Sequence, residues 1–184
     1  MKFIKTEISD VYIIEPSVFG DNRGYFLESF NLEKFEENVF PIRFVQDNES
    51  KSSKGVLRGL HFQKPPFNQA KLVRCIEGSV MDVAVDIRKG SPTFGKHISV
   101  ELSGKNKRQL FIPRGFAHGF CVLSESAVFA YKVDNAYAPE YDSGIKYDDI
   151  DLNINWGLTD NEIQLSYKDT TLPSFKDLKS PFNF

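Results

Sequence analysis

Residues 80–88 read VMDVAVDIR, a run in which apolar side chains alternate with polar or small ones. One face would carry Met81, Val83, Val85 and Ile87, and the other Asp82, Ala84, Asp86 and Arg88. Alternation with a period of two is typical of a β-strand, because successive side chains point to opposite faces of a sheet. The stretch therefore predicts a strand.

The same period recurs along most of the chain. Further strand-like runs lie at 11–14, 24–30, 70–76, 97–102, 108–113, 119–123 and 127–133. Turn signals separate them, among them GDNRG, KPP, EGS, KGSP, SGKN and PRG. Helix signals are scarce: one short helix is predicted over 31–39 with Asn31 as its N-cap, and another near 159–163. Many short strands with turns between them predict a single all-β domain over 1–184, a sandwich or barrel, wrapped by a more polar C-terminal third.

The composition excludes several classes of protein. The chain has 184 residues, 41% hydrophobic and 26% charged, which is ordinary for a globular domain. A net charge of -2 gives no electrostatic reason to expect nucleic acid or a membrane surface as a partner. Charged residues interrupt the N-terminus too early for a signal sequence, so a cytoplasmic location is expected. Cys75 and Cys121 lie in apolar runs and predict buried thiols.

Two of the three histidines lie among apolar and glycine residues. His61 is in GVLRGLHFQ (55–63) and His118 is in PRGFAHGF (113–120), whereas His97 opens a strand on its polar side and is interpreted as structural. The simplest interpretation of His61 and His118 is a hydrogen-bonded core histidine. Three further residues favour a site instead. Lys71 shares a strand face with core residues, Tyr131 does the same, and Asp169 follows an apolar stretch.

A cavity with a histidine, a lysine, a tyrosine and an aspartate suits enolisation next to a carbonyl, in which a base removes a proton, a cation holds the enolate and an acid returns a proton. This chemistry needs no cofactor, and the chain has no glycine-rich dinucleotide or phosphate loop. A metal-dependent barrel enzyme is the alternative. It is disfavoured because the residue two after His61 is Gln63, and no His-x-His pair occurs.

Several blocks, in order, closely resemble the dTDP-4-dehydrorhamnose 3,5-epimerase family. They are FGDNRGYFLESF, FVQDNES, GVLRGLHFQ, QAKLVRC, VMDVAVDIRKGSPTFGK, IPRGFAHGFCVLSE, AYKVDNAYAPE and LSYKD, and the resemblance runs from about residue 3 to 173. It implies a cupin-type jelly roll, a homodimer with exchanged strands and no metal or cofactor. The implied reaction inverts carbons 3 and 5 of dTDP-4-dehydro-6-deoxyglucose, a step toward dTDP-L-rhamnose for surface polysaccharide.

The resemblance also implies a role for each site residue. His61 would be the base, oriented and made more basic by Asp169, Tyr131 would protonate the opposite face, and Lys71 would stabilise the enolate oxygen. The substrate-binding residues it implies are Arg23, Arg58 and Lys168 at the diphosphate, Glu28, Gln46 and Asn48 around the nucleoside, and His118 at the sugar or phosphate. Tyr137 is a candidate for steering the sugar. Asp142 is a possible contact where the family commonly has glutamate.

Alternatives remain at this point: an epimerase of carbon 3 alone acting on a related sugar, a metal-dependent cupin, and a non-catalytic sugar-nucleotide binder. The sequence also sets a geometric condition. Arg58 and His61 are three positions apart, so on a regular strand they would face opposite sides. For both to reach one cavity, the strand must bulge, and Gly59 is the expected place.

Overall fold

The computed structural model describes residues 1–184 and consists mainly of β-strands. The strands are β1 (Lys2–Lys5), β2 (Tyr12–Glu15), β3 (Val18–Asp21), β4 (Gly24–Leu27), β5 (Gln46–Ser53), β6 (Leu57–Gln63), β7 (Lys71–Glu77), β8 (Ser79–Asp86), β9 (His97–Ser103), β10 (Gln109–Ile112), β11 (Phe116–Val122), β12 (Ser126–Val133) and β13 (Asp142–Gly144). The helices are α1 (Leu32–Asn38), α2 (Tyr167–Thr170) and three single 3₁₀ turns at Pro139–Tyr141, Asp160–Glu162 and Phe175–Asp177. None of the helices is long and apolar enough to cross a membrane.

The strands form two sheets and one separate hairpin. The six-stranded sheet has the order β1-β2-β10-β7-β12-β5, and the five-stranded sheet has the order β13-β6-β11-β8-β9. Strands β3 and β4 pair only with each other. All the pairings between these strands are antiparallel, which together with the two-sheet arrangement confirms the predicted all-β jelly roll.

The two sheets pack face to face around an apolar core. Val73 and Phe129 enter this core from the six-stranded sheet, and Ala84 and Phe120 enter it from the five-stranded sheet. The rings of Phe120 and Phe129 stack across the interface with centroids 4.1 Å apart. Burial of such a ring contributes about 1.5–3 kcal/mol, so this ring pair stabilises the packing of the two sheets.

The C-terminal third covers the outer face of the five-stranded sheet, as predicted. Val83 and Val85 of β8 pack there against Leu152, Trp156 and Phe182. Both faces of β8 are therefore buried. One face packs against the six-stranded sheet, and the other packs against the C-terminal third. Its polar face, which carries Asp82, points between the sheets, and Asp82 is fully buried.

The differences from the predicted elements have physical causes. The helix predicted near 159–163 is only a 3₁₀ turn, and strands β1, β3, β5 and β13 were not predicted. Strand β5 reads QDNESKSS and lies at a sheet edge, so it alternates between exposed and half-buried polar residues without an apolar pattern. Hydrogen bonding to β12, not side-chain burial, keeps this segment extended.

Strand β6 has the bulge that the sequence requires. His61 pairs with His118 of β11, whereas Arg58 pairs with Phe120, so β6 has one more residue between these pairs than β11. The extra residue reverses the alternation of side chains along β6. As a result, Arg58 and His61 both line one cavity. The backbones approach closely here: a Cβ on Gly59 would lie 2.5 Å from the Cα of Gly119, and Gly59 has a φ of +150°.

We predict that Gly59→Ala is strongly destabilising. The new methyl group would collide with the backbone of β11, and no side-chain rotation relieves such a clash. The expected loss is about 2–4 kcal/mol in the free energy of unfolding, measured by urea denaturation. Gly90→Ala is the matched control, because Gly90 also has a positive φ but has open space around it, and its expected cost is only about 1 kcal/mol. Equal losses for the two variants would contradict this account of the bulge.

Candidate active site

A cavity of about 530 Å³ opens between the two sheets, next to the bulge. Five predicted site residues enter it from strands: Arg58, His61, Lys71, His118 and Tyr131. Lys168 and Asp169 enter it from α2. Apolar side chains, among them Phe120 and Phe129, form part of the wall. The cavity thus combines a low-dielectric lining with a small set of convergent polar groups, which is typical of an active site.

His61 and Asp169 form a hydrogen-bonded pair. His61 Nε2 lies 2.5 Å from Asp169 Oδ1, and Asp169 is almost completely buried. The contact places the ring proton on Nε2, which faces the carboxylate. The lone pair of Nδ1 is then free, because no protein group forms a hydrogen bond with it. The pair joins residues 108 positions apart in sequence, so only the folded chain creates it.

Ser166 is a third residue in this hydrogen-bonded group, and the sequence analysis did not identify it. It is the N-cap of α2, and its hydroxyl donates to Asp169 Oδ2 at 2.7 Å. Burial alone would raise the pKa of Asp169, but hydrogen bonds from His61 and Ser166 hold that pKa below its usual value. Asp169 is therefore a carboxylate at neutral pH. The motif Ser-x-x-Asp could have indicated this contact from the sequence, because a serine at a helix N-cap lies close to the residue three positions later.

Lys71 and Tyr131 both come from the six-stranded sheet. Lys71 shares its strand face with the core residues Val73 and Cys75, as predicted. Burial lowers the pKa of Lys71 to about 8, while the negative charges of Asp82 and Asp142 oppose this decrease. Burial raises the pKa of Tyr131, so its phenol keeps its proton at neutral pH.

His118 has a carboxylate partner of its own, Asp82, which the sequence analysis did not identify as a site residue. His118 Nε2 lies 2.9 Å from Asp82 Oδ2. Burial lowers the pKa of His118, although the contact with Asp82 acts in the opposite direction. The available signal was the alternation of β8, in which Asp82 shares a face with Val80 and Ala84. That is an unusual composition for a solvent face.

A second cavity of about 340 Å³ continues the first. It shares His61, Lys71, Tyr131 and Lys168 with it. The second cavity adds the predicted binding residues Gln46, Asn48, Tyr137 and Asp142. Lys168 forms an ion pair with Asp142, and the hydroxyl of Tyr137 donates to the same carboxylate at 3.3 Å. The two cavities form one groove, in which these four shared residues lie where the cavities meet.

Two of the predicted binding residues lie outside this groove. Arg23 is exposed in the β3–β4 hairpin and pairs with Asp21 at 2.6 Å. Glu28 pairs with Lys34 of α1 at 2.7 Å. Within one chain, neither side chain reaches the cavity that holds His61.

The third histidine and the two cysteines have no place in this groove. His97 lies at the start of β9, half-buried and outside both cavities. Cys75 and Cys121 are buried free thiols, as predicted. No group of three or more His, Cys, Asp or Glu side chains is arranged to hold a metal ion.

The fold and the groove together define a jelly-roll enzyme of the acid–base type. The profile of the dTDP-4-dehydrorhamnose 3,5-epimerase family matches residues 5–177. The chain is similar to the dTDP-4-dehydrorhamnose 3,5-epimerase of Shigella flexneri, with 62% identity over 157 residues, 85% of this chain and 87% of the relative. It is 56% identical to the enzyme of the same name from Escherichia coli K12, over 97% of this chain and 96% of the relative.

The structure is similar to that of a dTDP-6-deoxy-D-glucose-3,5-epimerase from Legionella pneumophila Philadelphia 1, solved in complex with dTDP-4-keto-L-rhamnose. The TM-score is 0.95 at 49% sequence identity, with coverage of 100% of this chain and 98% of the other. The chain belongs to the dTDP-4-dehydrorhamnose 3,5-epimerase family. It is therefore an isomerase, which confirms the predicted family and class of enzyme.

We predict that kcat/KM decreases above about pH 8. A pKa of about 8 for Lys71 means that the free enzyme loses the cavity ammonium through this range. The neutral amine cannot stabilise negative charge on a substrate oxygen, so kcat/KM should fall about tenfold per pH unit. A pH profile of kcat/KM from pH 6 to 10 measures this limb. Lys71→Arg keeps the charge at all these pH values and should remove the limb even if its rate is lower. A wild-type profile that is flat to pH 10 would contradict the prediction.

Proposed function

We propose that this chain inverts carbons 3 and 5 of dTDP-4-dehydro-6-deoxy-D-glucose to give dTDP-4-dehydro-L-rhamnose, through an enolate and without a cofactor. Both carbons flank the keto group at carbon 4, so removal of either proton gives an enolate whose charge lies on the same oxygen. One observation carries this proposal: the candidate base, His61, and the candidate acid, Tyr131, enter one cavity from opposite sheets.

His61 is the proposed base. Its Nδ1 lone pair is free, and its Nε2 proton is held by the carboxylate of Asp169. When Nδ1 takes a proton from carbon, the resulting imidazolium is stabilised by the adjacent negative charge. Asp169 also fixes the ring orientation, because the Ser166 hydroxyl donates to its carboxylate and in turn accepts a hydrogen bond from the backbone N–H of Asp169.

Tyr131 is the proposed acid. It stands on β12, in the sheet that faces β6 and His61. Inversion requires that a proton leave one face of the carbon and return to the other, so the two groups must lie on opposite sides of the sugar ring. The raised pKa of Tyr131 keeps its proton available for this transfer at neutral pH.

Lys71 is the proposed electrostatic group. It projects from β7, next to the strand of Tyr131 in the same sheet, into both cavities, and its ammonium has no hydrogen-bond partner in the protein. A cation fixed in advance at the carbon 4 oxygen stabilises the enolate without reorganisation, which is usually a large contribution to catalysis. One cation serves both inversions, because both enolates share this oxygen.

The rest of the groove fits the nucleotide. Arg58 and Lys168 are proposed to bind the diphosphate, for which guanidinium and ammonium groups are suited. Lys168 would exchange Asp142 for the phosphate oxygens. His118 would contact the sugar or phosphate, Gln46 and Asn48 the nucleoside, and Tyr137 the sugar or the base.

Arg23 and Glu28 are proposed to complete the site of a second copy of the chain. The β3–β4 hairpin that carries Arg23 exposes large apolar side chains, with Phe19 66% and Phe26 68% exposed. Such a patch on a projecting hairpin favours burial against another subunit. We propose a homodimer in which the hairpin packs on its partner. We also propose that the chain acts as one catalytic domain, in the cytoplasm, in dTDP-L-rhamnose synthesis for surface polysaccharide.

Deuterium exchange tests the reaction directly. The protein is incubated with dTDP-4-dehydro-6-deoxy-D-glucose in deuterated water, and label is followed at carbons 3 and 5 by NMR. We expect label and inversion at both carbons. His61→Ala should reduce exchange about 10²- to 10⁴-fold, which is the usual effect of removing a general base. Tyr131→Phe should still exchange label on the face of His61 but should not invert.

Each other outcome of this experiment has a definite meaning. Label at carbon 3 alone would indicate a mono-epimerase, and no label would indicate a binding protein or another substrate. Loss of activity with a chelator would contradict the metal-free mechanism. Titration with dTDP monitors the fold of the variants, because nucleotide binding should survive both substitutions.

Mixing two inactive variants tests the dimer. A mixed dimer has one Arg23→Ala subunit and one His61→Ala subunit. The site of the Arg23→Ala subunit is then complete, because it has its own His61 and receives an intact Arg23 from the partner. Random reassortment should therefore restore about a quarter of the wild-type rate, since half of the dimers are mixed and each has one complete site. Light scattering should show a dimer for the wild type and a monomer for Phe19→Asp/Phe26→Asp. No recovery in the mixture would contradict a shared site.

A further inference from the structure

Asp82 is a fully buried carboxylate that the proposed mechanism does not use. It lies on β8, paired with Phe120 of β11, and its two oxygens lie 3.1 and 2.9 Å from Nε2 of His118. His118 is itself only 7% exposed. A charge buried to this degree is costly unless positive or polar groups surround it. The cost indicates that Asp82 has a role at the cavity.

Two nitrogen atoms of residues that line the cavity are left free by the protein. Lys71 Nζ and His118 Nδ1 have no hydrogen-bond partner in the chain, and no buried polar side-chain atom lacks a partner. Both atoms are therefore accessible from the cavity, where they can contact a bound molecule. Lys71 and Asp82 approach from opposite sheets, β7 and β8. Asp82 thus contacts one group that lines the cavity, His118, and Lys71 enters the same cavity from the facing sheet.

We propose that Asp82 is a positioning residue of the epimerase, which holds His118 through Nε2–H and provides the negative charge that keeps Lys71 an ammonium. This proposal rests on the proposed role of Lys71. It assigns a definite protonation pattern to the cavity: Asp82 is negative, Lys71 is positive, and His118 is neutral. His118 then presents the lone pair of Nδ1 to the substrate, so it accepts a hydrogen bond from a sugar hydroxyl and does not donate one to a phosphate.

The charges around Lys71 are consistent with this pattern. Burial lowers the pKa of Lys71. Among the charges that raise it, Asp82 contributes most and Asp142 next, whereas the charge of Lys168 lowers it further. The lowered pKa of His118 likewise favours a neutral ring. The titratable and charged groups that face Lys71 from the surrounding elements are Asp82, Asp142, Asp169, Lys168, His61, His118, Arg58, Tyr131 and Tyr137. Asp142 is paired with Lys168 and Asp169 with His61, whereas Asp82 is hydrogen-bonded only by the ring of His118, so the charge of Asp82 is the least compensated of the three.

The test is Asp82→Asn, which keeps the shape of the side chain and removes its charge. We expect the alkaline limb of kcat/KM to move down by about one pH unit, which corresponds to about a tenfold loss near pH 9 and a smaller loss at pH 6. Asp86→Asn is the matched control, because Asp86 is equally buried on the same strand but is held by Arg88, Ser91 and Thr93 away from the cavity. It should lower stability and leave the limb in place. An unchanged limb in Asp82→Asn would overturn the proposal.

Nitrogen-15 NMR of the histidine rings gives a second test on the wild-type protein, with no substrate. The chain has only three histidines, and His97→Gln and His61→Ala identify two of them. We expect His118 to be neutral at pH 7 with its proton on Nε2. An imidazolium, or a proton on Nδ1, would overturn the proposal. Absence of deuterium exchange by the wild type would instead count against the proposed function, so the two failures are distinguishable.

Discussion

The close backbone approach of Gly59 and Gly119 is the constraint on which the site depends. It allows β6 to bulge against β11, and the bulge turns Arg58 and His61 toward the same cavity. A strand without the extra residue would turn one of the two away, because side chains alternate between faces. The separation of Arg58 from His61, the proposed phosphate-binding cation and the proposed base, is thus set by the backbone of two paired strands.

The two sheets supply different parts of the chemistry. The five-stranded sheet carries His61, His118 and Asp82, whereas the six-stranded sheet carries Lys71 and Tyr131. Two groups on facing sheets are held on opposite sides of anything bound between them, which is the arrangement that inversion at carbon needs. The apolar ring pair Phe120 and Phe129 joins the sheets next to the cavity. This packing holds the two walls of the cavity together.

Each cavity histidine has its own carboxylate. His61 and His118 are direct neighbours across β6 and β11, yet Asp169 comes from a C-terminal helix and Asp82 from the adjacent strand. In both contacts Nε2 faces the acid, which leaves Nδ1 without a partner in the protein. The difference between them is exposure, because the side chain of His61 is 27% exposed and that of His118 is 8% exposed. The more accessible ring is therefore better placed to exchange protons, and the deeper one to orient a ligand.

Much of the fold was predictable from local pattern. The period-two runs predicted most strands, the turn residues predicted their ends, and the side of the strand on which Lys71 and Tyr131 lie followed from their apolar neighbours. Strand β5 was missed because a polar edge strand has no apolar alternation. Asp82 was missed because alternation separates two faces but does not say which of them is inside. In β8 both are buried, and the face with the aspartates points into the sandwich.

By itself, the sequence determined the class of fold, the family and the candidate residues, since these depend on local periodicity and on residue types at given positions. Only the tertiary structure decided which carboxylate serves which histidine, and that Arg23 and Glu28 lie away from the cavity of their own chain. The two histidine–carboxylate contacts join residues 108 and 36 positions apart in the chain. Their geometry follows from sheet pairing and packing, which no local stretch of sequence contains.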